Sequence, residues 1–231
     1  METLTCGANG ARTLYAPTGY DRGYWTAVRA SRILSRLSSR VVLPEVIEVP
    51  VDRPLLVAAN HSSLFDLGAS LITLGHFGIN ARVGVNSRFF GNPIGGAVLR
   101  SIGAIPFSRE DREVAEATMI GALEGGQACA IMPEGRITRP EDQVAAVGLA
   151  RPGVSRIARR AGAAVLPVGF AGADEAWKPG TPFPRLRFGR HSVHVHVGSP
   201  IVFESDDHEA NATLLMKAIG SLVLEGRELT E

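Results

Sequence analysis

No run of about 18 or more apolar residues occurs in this chain of 231, so the sequence offers no helix fit to span a bilayer. Cysteine is scarce: Cys6 and Cys129 stand far apart, one in a Gly-rich start and one in an apolar run, which suits a reduced compartment better than a disulfide framework. Aromatic residues make up 6% and the formal net charge is only +1, with no basic segment interleaved with stacking aromatics, which argues against a nucleic-acid partner. The first residues carry Glu2, Gly7 and Gly10 rather than a basic then apolar run, so they do not read as a signal peptide. Acids are missing altogether between Arg22 and Pro44, and no Gly-x-Ser-x-Gly nucleophile elbow occurs anywhere. What remains is ordinary globular material, 45% hydrophobic and 20% charged, enough for one large α/β domain or one with a helical appendage.

The organisation follows from periodicity. Residues 1–20 mix Gly, Thr, Pro and Ala without a period and read as a loose lead-in. From Arg22 to Val42 the pattern is helical, with Ala27, Ala30, Leu34, Leu37 and Val41 as the expected apolar stripe and Arg29, Arg32, Arg36 and Arg40 opposite. A polar stripe made of arginine alone suits an anionic lipid surface, and an apolar stripe so rich in alanine suits packing on a protein core; the two are compatible. We therefore divide the chain into 1–45, a lead-in and amphipathic, membrane-associating helix, and 46–231, an α/β domain.

Within the second part strands and helices alternate. Strands are expected at Leu55 to Ala59, Ala81 to Val85, Ala104 to Phe107, Ala128 to Met132, Val165 to Phe170 and Val193 to Val197. Helices are expected at Ser63 to Gly75, Asn92 to Ile102, Arg112 to Glu124, Gly153 to Arg160 and Ala212 to Leu224. This rhythm implies a mainly parallel central sheet with helices on both faces, preceded by the amphipathic helix. Pro167 suggests that its strand lies at an edge or ends there.

Four segments carry chemistry. Asn60-His61-Ser62-Ser63-Leu64-Phe65-Asp66 follows a buried strand, so a histidine and an acid arrive together at a strand's carboxyl end, where open α/β sheets bind ligands. Five positions on one helix would leave the two side chains about 140° apart, so they meet only if His61 precedes the helix and Asp66 lies in its first turns. Asp66 could then fix the imidazole tautomer and leave the other nitrogen free as a base. The same residues also fit a helix start capped by Ser62 or Ser63, with Asp66 satisfying backbone donors. Gly103 to Arg109 is a short strand that stops at a cation able to fork onto a phosphate, and equally the start of a solvated charged run. Pro133-Glu134-Gly135-Arg136-Ile137-Thr138-Arg139 follows another buried strand: Gly135 permits close backbone approach, and Arg136 and Arg139 add positive charge. The fourth segment is Val165-Leu166-Pro167-Val168. Among the histidines, His194 and His196 share one strand face near His191, but no third metal ligand is indicated and a solvated face is the plainer reading; His76 and His208 read as loop or surface residues.

In this order and at these separations the four segments resemble the glycerolipid acyltransferase family that contains the bacterial lysophosphatidate acyltransferases, over about residues 46–200. The resemblance implies acyl transfer from a thioester, on coenzyme A or acyl carrier protein, to a hydroxyl of a glycerophospholipid precursor, with 1-acylglycerol 3-phosphate the leading acceptor. His61 would be the general base and Asp66 its orienting partner. Arg109 and Arg136 would clamp the acceptor phosphate, with Glu134 and Gly135 shaping that pocket. No cofactor and no metal are implied, and the expected location is cytoplasmic, peripheral on the inner face of the cell membrane. One departure matters: Arg136-Ile137-Thr138 stands where the common family form has Thr-Arg, a variant similar to the branch that reacylates lysophosphatidylethanolamine. A second lies around Asn86-Ser87, where the family often carries a basic residue; Arg88 is close by. The residues also leave room for a thioesterase or other hydrolase, since a His and Asp pair can activate water, and for a non-catalytic lipid-binding module. For the oxyanion, the backbone N–H groups at the Ser62 helix start are the expected donors.

Overall fold

The computed structural model describes residues 1–181, 183–186 and 191–229. Its core is a seven-stranded sheet in the order β2-β9-β8-β4-β7-β5-β6, built from β2 (Arg40–Val42), β4 (Leu55–Ala59), β5 (Ala81–Asn86), β6 (Ile105–Phe107), β7 (Ala128–Ile131), β8 (Ala164–Ala171) and β9 (Ser192–Val197). The five strands from β8 to β6 run parallel, and β9 is antiparallel to β8. A separate pair joins β1 (Thr3–Cys6) to β3 (Ile47–Pro50). The helices are α1 (Asp21–Ser38), α2 (Phe65–Phe77), α3 (Pro93–Ser101), α4 (Arg112–Glu124), α5 (Gly153–Ala161), the short α6 (Ala173–Ala176) and α7 (His208–Glu228).

The sheet is covered on both faces, which is why β4 and β8 read as unbroken apolar runs. Their side chains still alternate: Leu55, Val57 and Ala59 join Phe65, Leu74 and Phe77 of α2 in one core cluster. Leu56 and Ala58 point the other way, into a cluster with Met119 and Leu123 of α4, Ile157 of α5 and Leu215 and Ile219 of α7. α1 and α3 lie over α2 through Tyr24, Val28, Leu71 and Leu99.

Three expectations are corrected. The lead-in is not structureless: it holds β1, residues beyond it hydrogen-bond to the end of α2, and β2 extends the main sheet, so residues 1–45 are laced into the fold. α1 presents a different face from the expected one. Tyr24, Val28, Ser35 and Ser38 are its buried residues, whereas Ala30, Leu34 and Leu37 face solvent. Pro167 sits in the middle of a central strand, not at an edge. Its carbonyl accepts from Gly198 N–H, so its missing donor faces β9, where the ladder breaks between Val168↔Val197 and the Val165↔Ile201 bridge. Two residues oppose three there, a bulge that leaves no ladder bond for the proline to lose.

Candidate active site

Parallel strands deliver their carboxyl ends to one edge, and this sheet delivers five. His61 follows β4, Glu134 to Thr138 follow β7, Arg88 follows β5, Arg109 follows β6, and Trp177 follows β8 and α6. Asn60 fixes the end of β4 against β8, giving its amide N–H to Phe170 O at 3.1 Å and accepting Phe170 N–H at 2.7 Å.

His61 Nδ1 lies 3.0 Å from Asp66 Oδ2. The same oxygen accepts the N–H groups of Ser62 and Ser63, each at 2.7 Å. An oxygen taking two backbone donors acts as a carboxylate acceptor, so the third partner, Nδ1, carries a proton and Nε2 is left as the basic nitrogen. Asp66 is fully buried, while the His61 side chain keeps 19% of its surface. Burial pushes the Asp66 carboxyl up from its ordinary value, and hydrogen bonds from His61, Ser63 and Ser62 oppose that rise. Asp66 thus holds the histidine ring and the two backbone N–H groups just ahead of α2 at once.

Two sequence expectations change here. The helix begins at Phe65 with Leu64 at its cap; Ser63 Oγ accepts Phe65 N–H and donates to Trp177 O at 2.7 Å. The Ser62 and Ser63 amides are already bonded to Asp66, so they are not free to hold an oxyanion.

Glu134 is 3% exposed and turned inward. Its Oε1 accepts His61 N–H at 2.9 Å, and its Oε2 accepts the Thr138 hydroxyl. Thr138 N–H donates to His61 O at 2.7 Å, so one loop grips the His61 peptide from both sides. Burial raises the Glu134 carboxyl above its ordinary value, against the hydrogen bonds of Thr138 and His61. Gly135 makes this loop possible: its φ is +66°, and a Cβ there would meet Arg151 Nε at 2.9 Å. The roles of Asn60 and Thr138 went unassigned from sequence, because both depend on which strands are neighbours.

Arg109 and Arg136 are exposed on this edge, Arg109 after the outermost strand and Arg136 in the Glu134 loop. A cleft of about 370 Å³ also opens on this edge, lined by Leu64, Arg88, Phe89, Ile137, Trp177 and Lys178 among others. The other histidines lie elsewhere. His191 Nε2–H donates to Gly172 O at 2.7 Å, while His194 and His196 approach Gly226 of α7. Among the described residues no group of three or more His, Cys, Asp or Glu is arranged to hold a metal ion. His76 is on the last turn of α2, against Phe77, and His208 opens α7 with Nδ1 3.0 Å from Ser155 Oγ; neither is a loop residue.

Comparison with known proteins agrees with this architecture. No curated protein sequence matches the chain. Among solved structures, the 1-acyl-sn-glycerophosphate acyltransferase PlsC of Thermotoga maritima superposes with a TM-score of 0.66 at 23% identity, covering 89% of this chain and 78% of that one. That likeness establishes a shared fold. A family model described as "Acyltransferase" matches residues 40–171, from β2 through β8, and so takes in His61, Asp66, Arg109 and the Glu134 loop. Since the match spans more than half of the 231 residues, the chain belongs to the acyltransferase family.

Proposed function

We propose that this protein transfers a fatty acyl group from an acyl thioester to a hydroxyl of a lysophospholipid, 1-acylglycerol 3-phosphate being the acceptor best suited. The observation that carries this is the His61–Asp66 pair, 3.0 Å apart at the sheet's carboxyl edge with Nε2 unspent. Nε2 takes the proton of the acceptor hydroxyl as its oxygen attacks the thioester carbonyl. Asp66 stabilises the imidazolium that forms. The tetrahedral intermediate then collapses, the carbon–sulfur bond breaks, and the proton passes from Nε2 to the departing thiolate, leaving ester and free thiol. Arg109 and Arg136 stand on the same edge and would add positive potential toward an anionic acceptor. The donor is coenzyme A thioester or acyl carrier protein.

A second acceptor has its own support. Arg136-Ile137-Thr138 resembles the lysophosphatidylethanolamine branch, so a zwitterionic head group is the alternative. Purified protein given acyl-CoA with either lysophospholipid discriminates the two. His61→Ala should lower the transfer rate at least about 10²-fold with an unchanged circular dichroism spectrum. Normal turnover by that variant would remove the mechanism, and free fatty acid released at full rate without acceptor would make the protein a hydrolase. Asp66→Ala is a poorer probe, because it also strips two backbone N–H groups of their acceptor.

A further inference from the structure

Between the Glu134 loop and α5, two consecutive alanines hold a backbone conformation that favours glycine: φ is +50° at Ala145 and +69° at Ala146. They form the tip of a tight hairpin, closed by Val144 N–H to Val147 O at 2.7 Å and Val147 N–H to Val144 O at 3.3 Å. Such a two-residue turn is ordinarily built from Asn-Gly or Asp-Gly. Other residues stay in it only where their surroundings over-determine it, and strain of this kind gathers at functional sites. The surroundings here are α7. Val147 is buried in one cluster with Leu215 and Ile219 of that helix, and Gln143 Oε1 accepts an Arg227 guanidinium N–H at 3.0 Å. Gly220 lets the tip come close: a Cβ there would stand 2.7 Å from Ala145 O and 3.4 Å from Val147 Cγ2.

On its other side the segment returns to the reaction centre, where Arg151 N–H donates to Pro133 O at 2.9 Å. Between the two ties lies Gly148, buried against the residues that hold His61. A Cβ at Gly148 would strike the Thr138 hydroxyl oxygen and come within 2.5 Å of Glu134 Oε2, the two atoms of one hydrogen bond. Gly148 has no positive φ, so glycine is needed there for space and not for conformation. Thr138 and Glu134 are each 3% exposed, so neither has solvent to retreat into. A side chain at 148 would therefore push Glu134, whose Oε1 takes the His61 N–H, and with it the backbone that carries the imidazole.

We propose that the 143–148 hairpin is a strut: braced on α7, it presses Gly148 onto the Glu134–Thr138 bond and makes Gly148 a positioning residue for His61, an assignment that rests on the acyl-transfer reading above. The test uses Gly148→Ala and, pushing from the far end, Gly220→Ala. Each is expected to lower kcat, about tenfold at 148 and about threefold at 220, with KM for acyl-CoA and for the lysophospholipid unchanged. A second readout needs no turnover: in ¹⁵N-resolved spectra the His61 amide proton should move upfield in both variants as its bond to Glu134 lengthens. Adding Thr138→Ala to Gly148→Ala should lower kcat no further, because the bond it removes is already broken. Normal kcat in either glycine variant, an unmoved His61 amide, or losses that multiply in full in the Thr138→Ala, Gly148→Ala double variant overturn the proposal. Should Gly148→Ala not fold, Gly220→Ala decides alone, since alanine favours the helix there. Failure of the underlying reading is distinct: it would appear as no acyl transfer by the parent protein, and the amide shifts would still judge the strut.

Discussion

At the scale of single residues the arrangement turns on the backbone of His61. The N–H and C=O of His61 are both spent, on Glu134 Oε1 and on Thr138 N–H, while its ring is held by Asp66. On the mechanism proposed above His61 is the base, and a displacement of about 1 Å from its working position would cost on the order of 10²-fold. Thr138 closes the grip by donating its hydroxyl to Glu134 Oε2. Thr138→Val keeps the shape and removes that donor, leaving a buried carboxylate oxygen unsatisfied. The expected outcome is a loss of about 1–3 kcal/mol in urea unfolding. With it should come a fall in kcat of about tenfold and little change in acceptor KM. A raised acceptor KM at normal kcat would show instead that Thr138 touches substrate. His61 and Asp66 were legible as a pair because they are five residues apart in one turn. The bond between His61 and Glu134 spans 73 residues and exists only because β4 and β7 are neighbours. No local pattern carries that information.

At the scale of elements the sequence located most strands and helices of the α/β part, missed β3 and the short α6, and misjudged which way α1 faces. Arg112–Glu124 is a helix from end to end as expected, because its period and its closing glycines are unambiguous. α1 was misread for a physical reason. Its inner stripe contains Ser35 and Ser38, which count as polar in a sequence but satisfy their hydroxyls on Arg32 O and Ser35 O of the same helix. Small residues of this kind let α1 lie close on α2, and Gly75 does the same from the other side. A Cβ at Gly75 would come within 2.6 Å of Val28 Cγ1. Gly75→Ala should therefore lose more to overpacking, about 1–3 kcal/mol, than the roughly 0.8–1 kcal/mol that alanine returns in helix propensity. A melting temperature lower by a few degrees is expected. A higher one would mean that α1 yields freely and is only loosely docked.

At the scale of the whole molecule the docking of α1 decides where its outer face points. Val28 meets Gly75 near the end of α2 and Ser31 approaches Gly68 near its start, so the carboxyl half of α1 runs toward the His61 edge. There Ile33, Leu34 and Leu37 are 65%, 62% and 43% exposed, beside Arg29, Arg32 and Arg36. The chain as a whole carries a formal charge of only +1, so attraction to an anionic surface has to come from such a local cluster. No described helix is long and apolar enough to cross a membrane. Three apolar side chains offer at most about 1.5–3 kcal/mol each on burial and each arginine about 1 kcal/mol near anionic lipid, enough together for reversible attachment. Attachment by this face would set the edge that holds His61 against the layer in which a lysophospholipid resides. Sedimentation with vesicles containing phosphatidylserine should retain the parent protein at low salt and release it as salt rises. The Ile33→Ser, Leu34→Ser, Leu37→Ser triple variant should lose that retention while its turnover of a water-soluble short-chain acceptor stays normal. Unchanged vesicle binding would take the membrane role from this face, and equal loss of both properties would mean that α1 serves only to hold the fold.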